Sequence, residues 1–331
     1  MRGAIALAAA LALILPVQAL AAPLQTAPLL WERDDLGPAY DLAVSPDGQT
    51  VYVAAEQGLP ALNASSGENL WSVELRPALS VDACAKGLVA VLSMDSVTAI
   101  DQSGAKLWSL SLKEKAWSGI VAWGPNCSTL AVGAKTSKVA GSRGLFALVS
   151  NVGVLTCWFE TEAPVTAVNW SPDGALVTFA LGNGRIVATE RGCVQAWTTA
   201  PRTARFLGSD RGSVSWSPDG SSVAGGFLST TRGELALTVS CYDRSGRTLW
   251  TSAPLTGPVS SLDWRPEGLA AASGSEVLLL DDHGRVVWST GALGRGINLV
   301  RWSPNGGVLA ALLDRRLVVL DSSGRIVLDS G

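Results

Sequence analysis

WSPDG at residues 170–174 returns letter for letter at 216–220. Looser copies stand at 44–48 (VSPDG), 123–127 (WGPNC), 264–268 (WRPEG) and 302–306 (WSPNG). Pro presets φ at the first central position of a β-turn, Asp bonds nearby backbone, and Gly takes φ > 0 without a Cβ penalty. The phrase is therefore turn chemistry, and its repetition implies one structural unit used many times. Its prolines, Pro46, Pro125, Pro172, Pro218, Pro266 and Pro304, recur at roughly 40–50 residues once the first gap is read as two periods. A degenerate copy at VDACAKG (81–87) fills that gap and brings the total to seven.

Between these copies runs a second phrase: a polar turn, a glycine, then a short apolar run ending in Trp. Clear copies are SSGENLW (65–71), QSGAKLW (102–108), RSGRTLW (244–250) and DHGRVVW (282–288). NVGVLTCW (151–158) and ERGCVQAW (190–197) are weaker, and the last, SSGRIVL (322–328), has Leu328 where Trp is expected. Apolar runs such as VYVAA, LAVGA, LVTFA and EVLLLD separate the phrases, and their length is that of strands. A period of about 40 residues, made of four short strands and three turns, is that of a propeller blade. The sequence thus predicts an all-β chain, a single seven-bladed β-propeller of four-stranded antiparallel blades over 38–77, 78–114, 115–162, 163–202, 203–255, 256–292 and 293–331.

The 13 tryptophans fit this frame. Trp71, Trp108, Trp158, Trp197, Trp250 and Trp288 end the second phrase, and Trp123, Trp170, Trp216, Trp264 and Trp302 begin the first, leaving Trp31 and Trp117. Trp31, in PLLWER, reads as one more outer strand. Leu29–Glu32 is therefore expected to join the last blade and close the ring, with Arg325–Asp329 displaced or added at its edge.

Residues 1–21 read as a signal peptide: Arg2, an apolar run from Ala4 to Leu15, Pro16, then Ala19-Leu20-Ala21 as a cleavage site. The apolar run is shorter than the ~20 residues a membrane span needs. A mature chain from Ala22 (22–331), exported and without a transmembrane anchor, is expected. Charged residues are only 16% and the net charge is −3, so the bulk charge carries no nucleic-acid or membrane-surface signature. Cys84, Cys127, Cys157, Cys193 and Cys241 permit disulfides in an exported chain, and the odd count leaves one unpaired. Cys84 and Cys127 fall near matching turns of neighbouring repeats and are the expected bridge.

The WSPDG turn is similar to that of TolB-type propellers, and the Gly-x-x-Leu-Trp phrase resembles the WD40-like or quinoprotein-like repeats of the BamB type. The resemblance covers nearly all of the mature chain. It implies architecture and leaves function open, because these are turn and packing residues. The blade count departs from both, since TolB-like propellers carry six and BamB-like ones eight.

Candidate chemistry is sparse. His283 is the one histidine, and no nucleophile is suggested beside it for a Ser-His-Asp arrangement. The quinone-dependent alcohol oxidisers that the resemblance brings in are longer and use a vicinal cysteine pair with a calcium site. This chain has no adjacent cysteines and no carboxylate loop of metal spacing. Asp47, Asp173, Asp219 and Glu267 read as turn residues spread around the ring. No catalytic or metal-binding residue is assigned, and no cofactor is expected.

The variable loops carry the sharper signal. Blade topology places the D-to-A and B-to-C connections on one face, where function normally lives. That face collects Lys113, Lys115, Trp117, Lys135, Lys138, Arg143, Arg202, Arg205, Arg211, Arg232, Arg295, Arg315 and Arg316, only partly offset by acidic residues. Arg and Trp are types enriched at binding hot spots. The sequence is accordingly read as a monomeric, non-enzymatic scaffold, periplasmic or secreted, that docks a protein of acidic surface in the cell envelope. A propeller binding pyrroloquinoline quinone and an envelope glycan lyase or hydrolase are the alternatives.

Overall fold

The computed structural model describes residues 35–136, 143–199, 213–231, 234–294, 296–303, 306–313 and 317–329. These form seven four-stranded antiparallel sheets, each with its strands side by side in chain order. Blades 1 to 7 run Ala39–Val73, Ala78–Ser111, Ser118–Thr161, Val165–Thr198, Val214–Thr251, Val259–Ser289 and Ile297–Asp329. Strands are lettered A to D outward from the axis within each blade. No helix of the described residues is long and apolar enough to cross a membrane.

Strand position follows residue pattern. The middle strands are mostly apolar and their central residues are buried on both faces, as in Thr129–Lys135 (TLAVGAK) and Leu176–Leu181 (LVTFAL). The outer strands are mixed and half-exposed, as in Lys106–Ser111 and Thr248–Thr251. A sheet face covered by a neighbouring blade demands continuous apolar residues, whereas an edge facing water does not.

The turn phrases behave as local hydrogen-bond devices. Ser45 Oγ donates to Asp47 Oδ1 at 2.5 Å, while Thr50 N donates to Ser45 Oγ and Gln49 N to Asp47 Oδ1. The same set recurs at Ser171/Asp173 and Ser217/Asp219. These bonds hold the Asp47, Asp173 and Asp219 carboxyls below their ordinary range, the serine hydroxyl being the largest cause.

The C-to-D hairpins make a second ring. In each, the residue two before the start of strand D has positive φ: Gly67, Gly104, Gly153, Cys193, Gly246, Gly284 and Gly324. Trp71, Trp108, Trp197, Trp250 and Trp288 of the preceding blades lie flat on Gly104, Gly153, Gly246, Gly284 and Gly324. Four of them, Trp71, Trp108, Trp197 and Trp288, donate Nε1 to a carbonyl of that hairpin. A methyl on Gly104 would sit 2.9 Å from the indole, so glycine is required there twice over.

Blade 3 departs from the expectation for Trp158. Gly153 and Trp158 are five apart where Gly104 and Trp108 are four apart. Leu148 consequently pairs with Cys157, and Trp158 pairs with Ala147, one place further on. A one-residue slip turns a side chain to the opposite face of its sheet. Cys157 thus takes the tryptophan's place and is disulfide-bonded to Cys193, which stands at the glycine's place in blade 4, with Cα atoms 6.0 Å apart.

The structure also joins Cys84 to Cys127 across blades 2 and 3, with Cα atoms 5.8 Å apart. Cys127 holds the glycine position of its Pro-Asn-Cys turn and has φ 55°. Among the described residues, both non-glycine positions of positive φ are therefore half-cystines. Cys241 is free and buried, and burial pushes its thiol up to about 12. In blade 7, Ile326–Asp329 fills the outer place, with Leu328 in the tryptophan register opposite Val319, so this strand is not displaced. Leu29–Glu32 lies outside the described residues.

Candidate functional site

The seven A strands enclose a central cavity of about 1320 Å³. Tyr40, Glu56, Pro77, Met94 and Trp117 line its mouth on the loop face, and Ser45–Gly48 and Pro125 line the turn face. Polar groups on these strands reach forward to the next blade. Asp41 Oδ2 accepts from Ser80 Oγ at 2.7 Å and from Val81 N at 3.3 Å. Ser80 Oγ accepts from Val121 N, Asp82 Oδ2 from Trp123 N at 2.6 Å, Ser215 Oγ from Trp264 N, and Asp263 Oδ2 from Trp302 N at 2.7 Å.

The electrostatics of the cavity are lopsided. Among the described residues, Asp41, Asp47, Glu56, Asp82 and Asp263 line it against Arg265 and Arg301. Arg301 Nη1 donates to Ser261 Oγ and Val300 O, and its charge favours ionisation of both Asp82 and Asp263. Burial outweighs that help. Desolvation, with a smaller push from Asp41, raises the Asp82 carboxyl to about 7 against the opposing Trp123 N–H, and Asp263 is raised by burial as well. Sequence reading missed these residues because each sits in an ordinary alternating strand. The recoverable signal is position: Asp82, Ser215 and Asp263 occupy the place that directly precedes the Trp123-type residue in the repeat.

On the loop face, the described members of the basic set are Lys113, Lys115, Trp117, Lys135 and Arg143. Lys138, Arg202, Arg205, Arg211, Arg232, Arg295, Arg315 and Arg316 lie outside the described residues. Trp117 is half-buried at the channel mouth, its N–H held by Lys135 O at 2.8 Å. Arg143 is paired with Glu160 at 2.8 Å. Lys113 Nζ stands 4.5 Å from the ring centroid of Trp158, and Lys115 is exposed. The structure thus gathers the described basic residues on the loops around blade 3, the blade disulfide-bonded to both neighbours.

On the opposite face, turns of neighbouring blades contact one another. Arg244 reaches from its hairpin to Gly220 O and to Asp173 Oδ2, both 2.9 Å, and lies 5.7 Å from the Trp216 ring. His283 sits on an exposed hairpin with Nδ1 2.6 Å from Asp282 Oδ1. Among the described residues no hydroxyl or thiol is arranged with it as a nucleophile.

Comparison with known proteins agrees with this architecture. The family described as "Outer membrane protein assembly factor BamB", of quinoprotein-type repeats, matches residues 17–145. No curated protein matches the chain. Solved structures do so in large numbers, 1330 chains in all, so the fold by itself singles out no activity. One of them, titled "Kuenenia stuttgartiensis Hydrazine Synthase", superposes with a TM-score of 0.69 at 14% identity, over 88% of this chain and 97% of its own.

Proposed function

We propose that the chain is an exported, monomeric, non-catalytic propeller of the cell envelope, which binds a protein of acidic surface through the loops around its channel mouth. The observation that carries this reading is what the channel's polar groups do. Asp41, Ser80, Asp82, Ser215 and Asp263 each accept a hydrogen bond from the adjoining blade, so they lock the ring rather than converge on a reacting atom. Rigid scaffolds of this kind present function on their loops. The two disulfides suit an oxidising compartment outside the cytoplasm. The likeness of residues 17–145 to an outer-membrane assembly factor supports the envelope role.

A quinone-binding propeller fits less well. Pyrroloquinoline quinone carries several carboxylates and would meet a channel in which, among the described residues, carboxylates outnumber guanidiniums. The likeness to hydrazine synthase is one of fold and does not favour catalysis. Two measurements test the reading together. Calorimetric titration with pyrroloquinoline quinone should give no saturable heat. Capture from envelope extract should retain one protein stoichiometrically, and alanine at both Lys113 and Lys115 should weaken retention and flatten its salt dependence. Saturable quinone binding near one per chain, with capture unchanged in the double variant, would overturn it.

A further inference from the structure

We propose that strand D of blade 3, Leu155–Thr161, receives an extended acidic segment of a partner protein as a fifth antiparallel strand, with Trp158 and Lys113 as its anchoring contacts. This rests on the docking function above and gives it a place and a partner chemistry. Every blade ends in an edge strand whose outward N–H and C=O groups can pair with another chain. In the other six blades that strand is four to six residues long. In blade 3 it is seven residues long.

The register slip equips this edge. Trp71, Trp108, Trp197 and Trp288 bury their indole N–H against the next blade. Trp158 is turned the other way and stands 41% exposed, with exposed Val154 and Leu155 before it in the chain. The charge beside it is uncompensated in one sense only. Glu160 is already neutralised by Arg143, whereas Lys113 and Lys115 make no ion pair among the described residues and flank a single Glu114. An incoming strand that brings carboxylates alternating with apolar residues would set its carboxylate row on the face shared by Trp158 and Lys113, with its apolar row on the opposite face. The methylene stems of the carboxylate row would lie on the ring and its charges on the lysines. Strand addition draws its affinity from main-chain bonds and its specificity from alternate side chains. The disulfide of Cys157 ties the receiving strand itself to blade 4 and holds it rigid, which lowers the ordering cost of binding.

The test uses the isotope-labelled mature protein and three synthetic octapeptides: alternating Val and Glu, alternating Val and Lys, and the Val-Glu peptide N-methylated on every second residue. The first should shift and protect the amides of 155–161 and bind at least about tenfold more tightly than either of the others. Trp158→Ala should weaken it at least about fivefold while leaving the melting temperature unchanged, since the ring is exposed. Lys113→Ala combined with Lys115→Ala should weaken it similarly, and serves if the tryptophan variant unfolds. Absence of binding, equal binding of the Val-Lys or N-methylated peptide, or shifts confined to the loops around Trp117 and Lys135 would each overturn strand addition. The last outcome leaves loop-face docking standing, as does capture of a partner that ignores the strand.

Discussion

Burial lifts the Asp82 carboxyl from its ordinary 3.8 to about 7, and the consequence for stability has a definite sign. The folded protein keeps that proton up to about pH 7, whereas the unfolded chain loses it near its ordinary value. Between those values the unfolded state binds fewer protons, so stability falls as pH rises, by at most about 1.4 kcal/mol per pH unit for this group. Above about pH 7 its contribution is level. Asp263, shifted in the same direction, adds to the slope. The turn carboxyls of Asp47, Asp173 and Asp219 are shifted down, so their stabilisation is present above the ordinary range and is lost as pH falls below it. Asp82→Asn keeps an acceptor for Trp123 N and removes the proton. Urea unfolding should show this variant gaining stability relative to wild type between pH 4.5 and 7.5, with no such gain if Asp82 is ionised throughout.

Glycine supplies the second prediction at this scale. Gly246 has φ +84°, and a Cβ there would meet Trp197 at 2.7 Å, while Gly192 would meet only Val194 at 4.0 Å. Gly246→Ala should cost about 2–4 kcal/mol in denaturant unfolding, and Gly192→Ala should stay within about 0.5 kcal/mol of wild type.

At the scale of the strand and the hairpin, blade 3 is both the best-secured blade and the irregular one. Its two disulfides close loops of sequence separation 43 and 36, for which loop entropy gives each about 2–4 kcal/mol. Replacing Cys157 and Cys193 with alanine should therefore lower thermal stability under oxidising conditions. Cys157→Trp with Cys193→Gly should restore part of the loss by rebuilding the Trp-on-Gly contact of the other blades. Cys157→Trp alone should not, because Cys193 keeps a side chain where the ring must lie.

The seven sheets and their strand order were legible because the turn phrases recur with side chains whose local bonds fix the chain reversal. Trp158 misled for a physical reason. Its phrase ends Cys-Trp, and the eye aligns tryptophan with tryptophan, whereas the strand counts from Gly153 and delivers Cys157 to that place. The Cys157–Cys193 bridge was hidden with it. A central channel was expected but the residues that line it were not legible, since which face of an A strand meets its neighbour depends on ring geometry rather than on the strand's own pattern.

Across the whole molecule the blade junctions are unequal. Apolar clusters of the described residues span six of them, from blades 1–2 through 6–7. The remaining clusters stay within blade 1 and within blade 7. Arg301 stands in blade 7 where Asp82, Ser215 and Asp263 accept in theirs, and a guanidinium cannot accept. Hydrogen exchange should therefore open blades 1 and 7 first and the disulfide-bonded blades 2 to 4 last. A chain that starts at Asp35 should exchange faster still at that junction if Leu29–Glu32 closes the ring, and equally fast if it does not.

The central claim is that partners dock on the loop face and not on the turn face. A photo-crosslinking residue placed at Lys115 and, separately, at His283 tests it most directly in intact cell envelopes. The account predicts one salt-sensitive protein adduct from position 115 and none from position 283. Equal adducts from both faces, or an adduct from 283 alone, would contradict it.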